Sequence, residues 1–117
     1  MFDFEKLHVY QKAKSYNHQV RHFIKHTPLD PTTKDQLRRA SFSVVLNLAE
    51  GSGRFSKPDR RNFFVIARSS IFECTAIFDV LQDEKYVSQE DFRKFYDAAE
   101  ELSKILLAMI KNLSKTE

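Results

Sequence analysis

The 117-residue chain has little cysteine, glycine or proline and no tryptophan: one cysteine, two glycines and three prolines. The lone Cys74 rules out an internal disulfide and a cysteine-built zinc site. Two glycines are too few for hairpins or phosphate-cradling loops, so the scarcity points to long helices. No apolar run approaches the roughly 18 residues of a membrane span. The opening Met1-Phe2-Asp3-Phe4-Glu5-Lys6-Leu7 carries acids where a secretory leader carries basic residues. With 42% hydrophobic and 30% charged residues, the expectation is one soluble, cytoplasmic domain over residues 1–117.

Catalytic patterns are also missing. There is no glycine-rich loop, no cofactor fingerprint and no nucleophile–base constellation. His18, His22 and His26 recur every four residues, but the segment lacks the glutamate of a zinc-protease helix and reads as a solvated face. Glu5-x-x-His8 is half of a carboxylate-bridged di-iron pattern, and no second copy exists. Cys74 reads as core. We therefore expect no catalytic residue, no metal, no cofactor and no enzymatic activity.

What the chain does contain is four long amphipathic segments. The first runs from about Asp3 to His26, with Val9, Ala13, Tyr16, Val20, Phe23 and Ile24 on one stripe. It should stop before Thr27-Pro28. The second starts near Thr32 or Thr33, at capping-box spacing from Asp35 and Gln36, and aligns Leu37, Ala40, Val44 and Leu48. Gly51 is expected to end it in a left-handed conformation, with Gly53 following. The third is capped by Ser56, with Pro58 in its first turn and Asp59 three residues on, and runs to Gln82 or Asp83. The fourth starts at Ser88 and carries Phe92, Tyr96, Ala99, Leu102, Leu106, Met109 or Ile110, and Leu113. Short linkers between long amphipathic helices predict an all-α, antiparallel up-down-up-down four-helix bundle.

Helices 2 and 3 hold more apolar residues than one stripe needs. Phe42, Val45, Leu46 and Ala49 lie off the Leu37–Leu48 line. On helix 3, Phe63, Ile66, Ala67, Cys74, Ile77 and Leu81 share one face, and Phe64, Ile71, Phe72 and Phe78 spread round the other. Helices apolar over most of their circumference are covered on two sides, which predicts a homo-oligomer that uses helices 2 and 3.

Charge is uneven. Residues 1–72 hold thirteen basic and six acidic side chains, a net of +7; residues 73–117 hold six and ten, a net of −4. Arg54, Lys57, Arg60 and Arg61 form the densest basic stretch, with Arg68 two turns later and Arg38 before it. The stretch flanks a helix N-terminus, whose N–H groups favour anions. These six are the expected nucleic-acid contacts, made mainly to phosphates, salt-sensitive and poor in sequence discrimination. Phe55 either staples under the turn, the reading favoured here, or stacks on a base. Around the turn, Glu50 opposes the helix dipole and needs a cation, with Arg54, Arg60 and Arg61 in reach. Asn47 is expected to tie the loop backbone, and an Arg39–Glu73 bridge to clamp the two helices. With Gly51 and Gly53, these residues form the expected structural motif.

The run from Gln36-Leu37-Arg38-Arg39-Ala40 through Asn47-Leu48-Ala49-Glu50-Gly51-Ser52-Gly53-Arg54, and then Phe63-Phe64-Val65-Ile66-Ala67-Arg68-Ser69-Ser70-Ile71-Phe72-Glu73, resembles the bacterial four-helix-bundle family named after proteins encoded in intervening sequences of 23S ribosomal RNA genes. Phe4-x-x-Leu7-x-Val9-Tyr10-x-x-Ala13 looks like the family's start. Leu48 stands where isoleucine is usual and Ser69 where glycine is common. The resemblance implies a protomer assembled into a ring-shaped pentamer. It also implies kinship with accessory proteins of diversity-generating retroelements, basic pentamers that bind RNA and a reverse transcriptase. The leading expectation is a non-enzymatic RNA-binding oligomer. The alternative is a protein-partner scaffold, such as an accessory subunit of a reverse transcriptase or another RNA enzyme.

Overall fold

The computed structural model describes residues 1–114 and is built from four helices: α1 (His8–Lys25), α2 (Pro31–Ser52), α3 (Lys57–Asp83) and α4 (Gln89–Ser114), preceded by a 3₁₀ turn over Asp3–Lys6. Each helix packs on two neighbours, in the cycle α1–α2–α3–α4–α1, and the bundle measures 49 × 26 × 22 Å. This is the antiparallel up-down-up-down arrangement expected. Among the described residues no helix is long and apolar enough to cross a membrane.

The first helix starts later than its stripe implies. Leu7 is extended (φ −83°, ψ 123°), which separates the 3₁₀ turn from α1. Glu5 and His8 therefore do not share a helical turn, and the half di-iron pattern is broken. The second helix starts earlier than predicted. Asp30, not Thr32 or Thr33, is the cap: its carboxylate accepts from the Thr33 amide at 3.0 Å, and Pro31 fills the first helical position. Hydrogen bonds from the Thr33 hydroxyl and amide hold the Asp30 carboxyl below the usual carboxylate range. Ser56 and Ser88 cap α3 and α4 as expected, accepting from the Asp59 and Asp91 amides.

Gly51 does not form a left-handed stop. It lies inside α2, buried, and no glycine of the chain has a positive φ. The left-handed residue is Lys85, at φ 64°. Tyr86 N–H bonds the Leu81 carbonyl at 2.9 Å and Lys85 N–H that of Gln82 at 3.0 Å, so α3 ends in a Schellman motif with lysine at its glycine-preferring position. Lys85→Gly should therefore stabilise the protein by about 0.5–1 kcal/mol, read as a raised urea midpoint at unchanged slope.

Aromatic rings cluster at the end of the core where α1 and α3 finish and α4 begins. Phe78 of α3 stacks on Phe95 of α4 at 4.2 Å, with Phe23 of α1 at 5.3 and 5.6 Å from the two rings. On α4, Ala99, Leu102, Leu106 and Ile110 are buried as read from sequence, but in the first turns it is Phe95 that faces inward, while Phe92 is half-buried and Tyr96 exposed. On α3 the inward face combines residues assigned to opposite sides: Phe64, Ala67, Ile71, Cys74, Phe78 and Leu81 are all buried. Ile66 and Phe72 point out. Burial pushes the Cys74 thiol up to about 12, and the adjoining Tyr16 hydroxyl is raised by the same cause, so both stay neutral within the core.

Candidate nucleic-acid interface

The expected site is the elbow between α2 and α3. Small side chains bring the two helices together here. Ser43 and Ser70 share a hydrogen bond at 2.8 Å across the seam, and Asn47 donates to the Ser43 carbonyl and hydroxyl, both at 2.9 Å. Asn47 thus ties its own helix to this serine pair, not the loop backbone. The pair also does the clamping assigned to Arg39 and Glu73. Arg39 instead bonds Asp35 one turn back at 2.9 Å, and Glu73 stays exposed. A local partner on the same helix costs less chain and side-chain ordering than one reached across a seam.

At the end of α2, Glu50 finds the cation its position requires. Arg54 bonds it at 3.0 Å and lies over the Phe63 ring, 4.6 Å from the centroid. Both carboxylate and guanidinium remain about half exposed. Gly51 allows the close approach. A Cβ there would sit 2.7 Å from Cε1 of Phe64 and 3.0 Å from Cβ of Phe63. Gly53 has an ordinary φ of −92°, and a Cβ there would meet the Glu50 and Ala49 carbonyls at 3.6 and 4.0 Å, ordinary contact distances.

The structure gathers some of the six basic residues and disperses others. Arg54, Lys57 and Arg60 stand at the elbow, around the N-terminus of α3. Arg61 starts the other flank, where its Nε donates to the Ser114 hydroxyl of α4 at 2.6 Å. Arg68 lies two turns further along that flank, donating to the Ser103 carbonyl at 3.3 Å and covering Phe72. Arg38 is remote: it lies fourteen residues before the end of α2 at Ser52, about 21 Å along the helix, and it is paired with Asp35 at 2.6 Å.

Two features of the elbow escaped the sequence reading. Phe55 is fully exposed, so it is not a staple. A staple needs an apolar partner at the fourth helical position, and that residue is Arg60, which the sequence already shows. Beside Phe55 lies a cavity of about 460 Å³ between the elbow and the N-terminal 3₁₀ turn, with Leu7, Phe64 and Met109 in its lining and Asp3 and Arg60 among its polar residues. Nε of Arg60 is buried there without a hydrogen-bond partner.

Away from the elbow are two apolar surfaces. Leu46 and Ile66, 47% and 41% exposed, point outward from α2 and α3, while Phe42, 40% exposed, is turned toward α1, where Arg21 lies 4.8 Å over its ring. Phe72, Phe92 and Tyr96 line a groove of about 650 Å³ between α3 and α4. The His22 and His26 rings lie 4.2 Å apart, tilted by 38°, and among the described residues no three histidine, cysteine or acidic side chains are grouped to hold a metal.

A family model described as 23S rRNA-intervening sequence protein matches residues 5–108. No curated protein matches the chain. Among solved structures, a protein of unknown function from the S23 ribosomal protein family of Bacteroides thetaiotaomicron superposes with a TM-score of 0.82 at 21% identity, covering 88% of this chain and 98% of its own. At that identity the likeness speaks for the fold alone.

Proposed function

The chain belongs to the 23S rRNA-intervening sequence protein family, and on that premise we propose that it is a cytoplasmic, non-enzymatic RNA-binding oligomer that grips phosphates at the α2–α3 elbow. The observation that carries this reading is the cluster of Arg54, Lys57 and Arg60 around the Ser56-capped start of α3, with Arg61 adjoining. Helix N–H groups and cations converge there on one anion-attracting corner. The Arg54–Glu50 pair does not neutralise it. Both groups are about half exposed, and a pair of that kind is worth at most about 1 kcal/mol, so a phosphate competes readily for the guanidinium.

Two different apolar faces support assembly. The exposed Leu46 and Ile66 of α2 and α3 and the Phe72–Phe92–Tyr96 groove lie on different sides of the bundle. A copy whose first face covers the next copy's groove makes a heterologous contact, and where its rotation closes, repetition gives a ring such as the pentamer that the family resemblance implies. Each subunit then adds one elbow to a shared surface, and weak contacts combine by multivalency. The competing reading, a scaffold for a reverse transcriptase or another RNA enzyme, would draw on the same groove for a foreign chain.

The test is a titration of labelled structured RNA at several salt concentrations. The wild-type affinity should fall linearly on logarithmic axes, by about 0.7–0.9 per phosphate contacted. Arg54→Gln/Lys57→Gln/Arg60→Gln should weaken binding by about 100-fold or more at low salt and flatten that slope, with the circular dichroism unchanged. Absence of binding at low salt, or equal binding by the triple variant, sinks the proposal. Light scattering that returns a monomer mass removes the ring.

A further inference from the structure

We infer that the elbow recognises an unpaired nucleotide, stacking its base on Phe55 and receiving it against the cavity beneath. This rests on the RNA reading and narrows it to single-stranded segments. A phosphate-led corner needs cations only, yet this one carries a fully exposed phenylalanine, preceded in the chain by Arg54 and followed by Lys57 and Arg60. One exposed aromatic is ordinary on a protein surface. Here it stands at the mouth of a 460 Å³ cavity, inside the size range of small-molecule sites. Leu7, Phe64 and Met109 supply apolar lining, and Asp3 and Arg60 supply an acceptor and a donor. That combination suits a flat heterocycle with polar edges.

A duplex cannot use these features. Its bases are stacked and paired, and the major groove of A-form RNA is too narrow to admit side chains. A loop, bulge or free end can splay a base onto Phe55 while its flanking phosphates meet the arginines. Gly53 lines the cavity too, although neither its φ nor its surroundings demand a glycine, so the fold leaves that mouth open without needing to.

The experiment compares a short single-stranded RNA containing 2-aminopurine with the same strand annealed to its complement. Wild-type protein should prefer the single strand by about tenfold or more, with a change in the fluorescence of the probe. Phe55→Ala should weaken single-strand binding by about 5- to 150-fold while leaving duplex binding and the salt slope unchanged. Phe55→Trp should retain the preference. Gly53→Leu, which keeps every charge, should reduce it by crowding the mouth. Equal affinity for the two forms, or Phe55→Ala binding like wild type, overturns this inference and leaves the phosphate grip standing. Failure of both RNAs to bind at low salt overturns the two together.

Discussion

Phe78→Ala is expected to cost about 3–5 kcal/mol, a large share of the 5–15 kcal/mol that holds a typical domain together. The ring is 2% exposed and joins three helices. It stacks on Phe95 at 4.2 Å with planes 14° apart, and meets Phe23 at 5.3 Å. Truncation removes the buried area, two aromatic contacts worth about 0.5–1.5 kcal/mol each, and the wall that Phe95 leans on. Phe95 also touches Tyr16, edge-on at 6.3 Å, so the cavity opens where α1, α3 and α4 converge. Its neighbours are rigid rings that cannot collapse into the space. The check is a urea transition followed by far-ultraviolet circular dichroism. Phe72→Ala provides the contrast: that ring is 55% exposed on the same helix, and its loss should cost the isolated protomer about 1 kcal/mol or less. A Phe78→Ala loss no larger than that of Phe72→Ala would refute the core placement.

The contrast between Phe78 and Phe72 also shows what the sequence can and cannot reveal. The caps of α3 and α4 were legible because Ser56 and Ser88 each stand three residues before an acid with no competing cap beside them, whereas the same spacing at Thr32 and Thr33 was overridden by Asp30-Pro31. The inward line of α2 was legible because Leu37, Ala40, Val44 and Leu48 run the length of the helix, whereas the second line of Phe42, Val45, Leu46 and Ala49 spans only two turns. On α3 and α4, phenylalanines occur on both sides, and periodicity alone cannot choose between two apolar faces. Phe92-Tyr96-Ala99 and Phe95-Ala99-Leu102 are both good stripes; packing against Phe78 and Tyr16 selects the second. The left-handed end of α3 was hidden for a simpler reason, since its occupant is a lysine.

The candidate site divides along the same line. The cluster of cations around Ser56 is contiguous in sequence, so its gathering at one corner was readable. Arg38 and Arg68 belong to other faces, because a helix spreads residues that a sequence count lumps together. Glu50 with Arg54 was readable as a dipole-opposing acid next to a cation four residues on. The cavity was not, because Asp3 and Leu7 reach it from the far end of the chain. Phe55 was readable in principle. Counting from the Ser56 cap puts Arg60 where a staple partner should be, and the ring is left without a place to bury.

Gly51→Leu should destabilise the protein by about 3 kcal/mol, and even Gly51→Ala should lower stability, against the usual sign of that change. In an ordinary helical position alanine gains about 1 kcal/mol over glycine. Gly51 has helical backbone, so that gain is on offer, and geometry overrides it. The added Cβ would lie 2.7 and 3.0 Å from two atoms of the Phe64 ring and 3.0 Å from Cβ of Phe63. Phe64 is 2% exposed, so its ring can yield only by leaving its packed place in the core, and Cβ of Phe63 moves only with the α3 backbone. Relief thus requires the two helices to separate at the elbow. Gly53→Ala is the internal control, because its Cβ meets nothing closer than 3.6 Å, and it should be neutral or stabilising. A double-mutant cycle locates the clash: Phe64→Leu should cost less in the Gly51→Ala background than in wild type, a coupling that distant sites would not show. Arg54, Lys57 and Arg60 follow within nine residues of this contact, so folded Gly51→Ala should also bind RNA more weakly than Gly53→Ala, although neither change touches a charge. If Gly51→Ala instead raises the urea midpoint, the close approach that sets the elbow is wrong, and the convergence of its cations loses its structural basis.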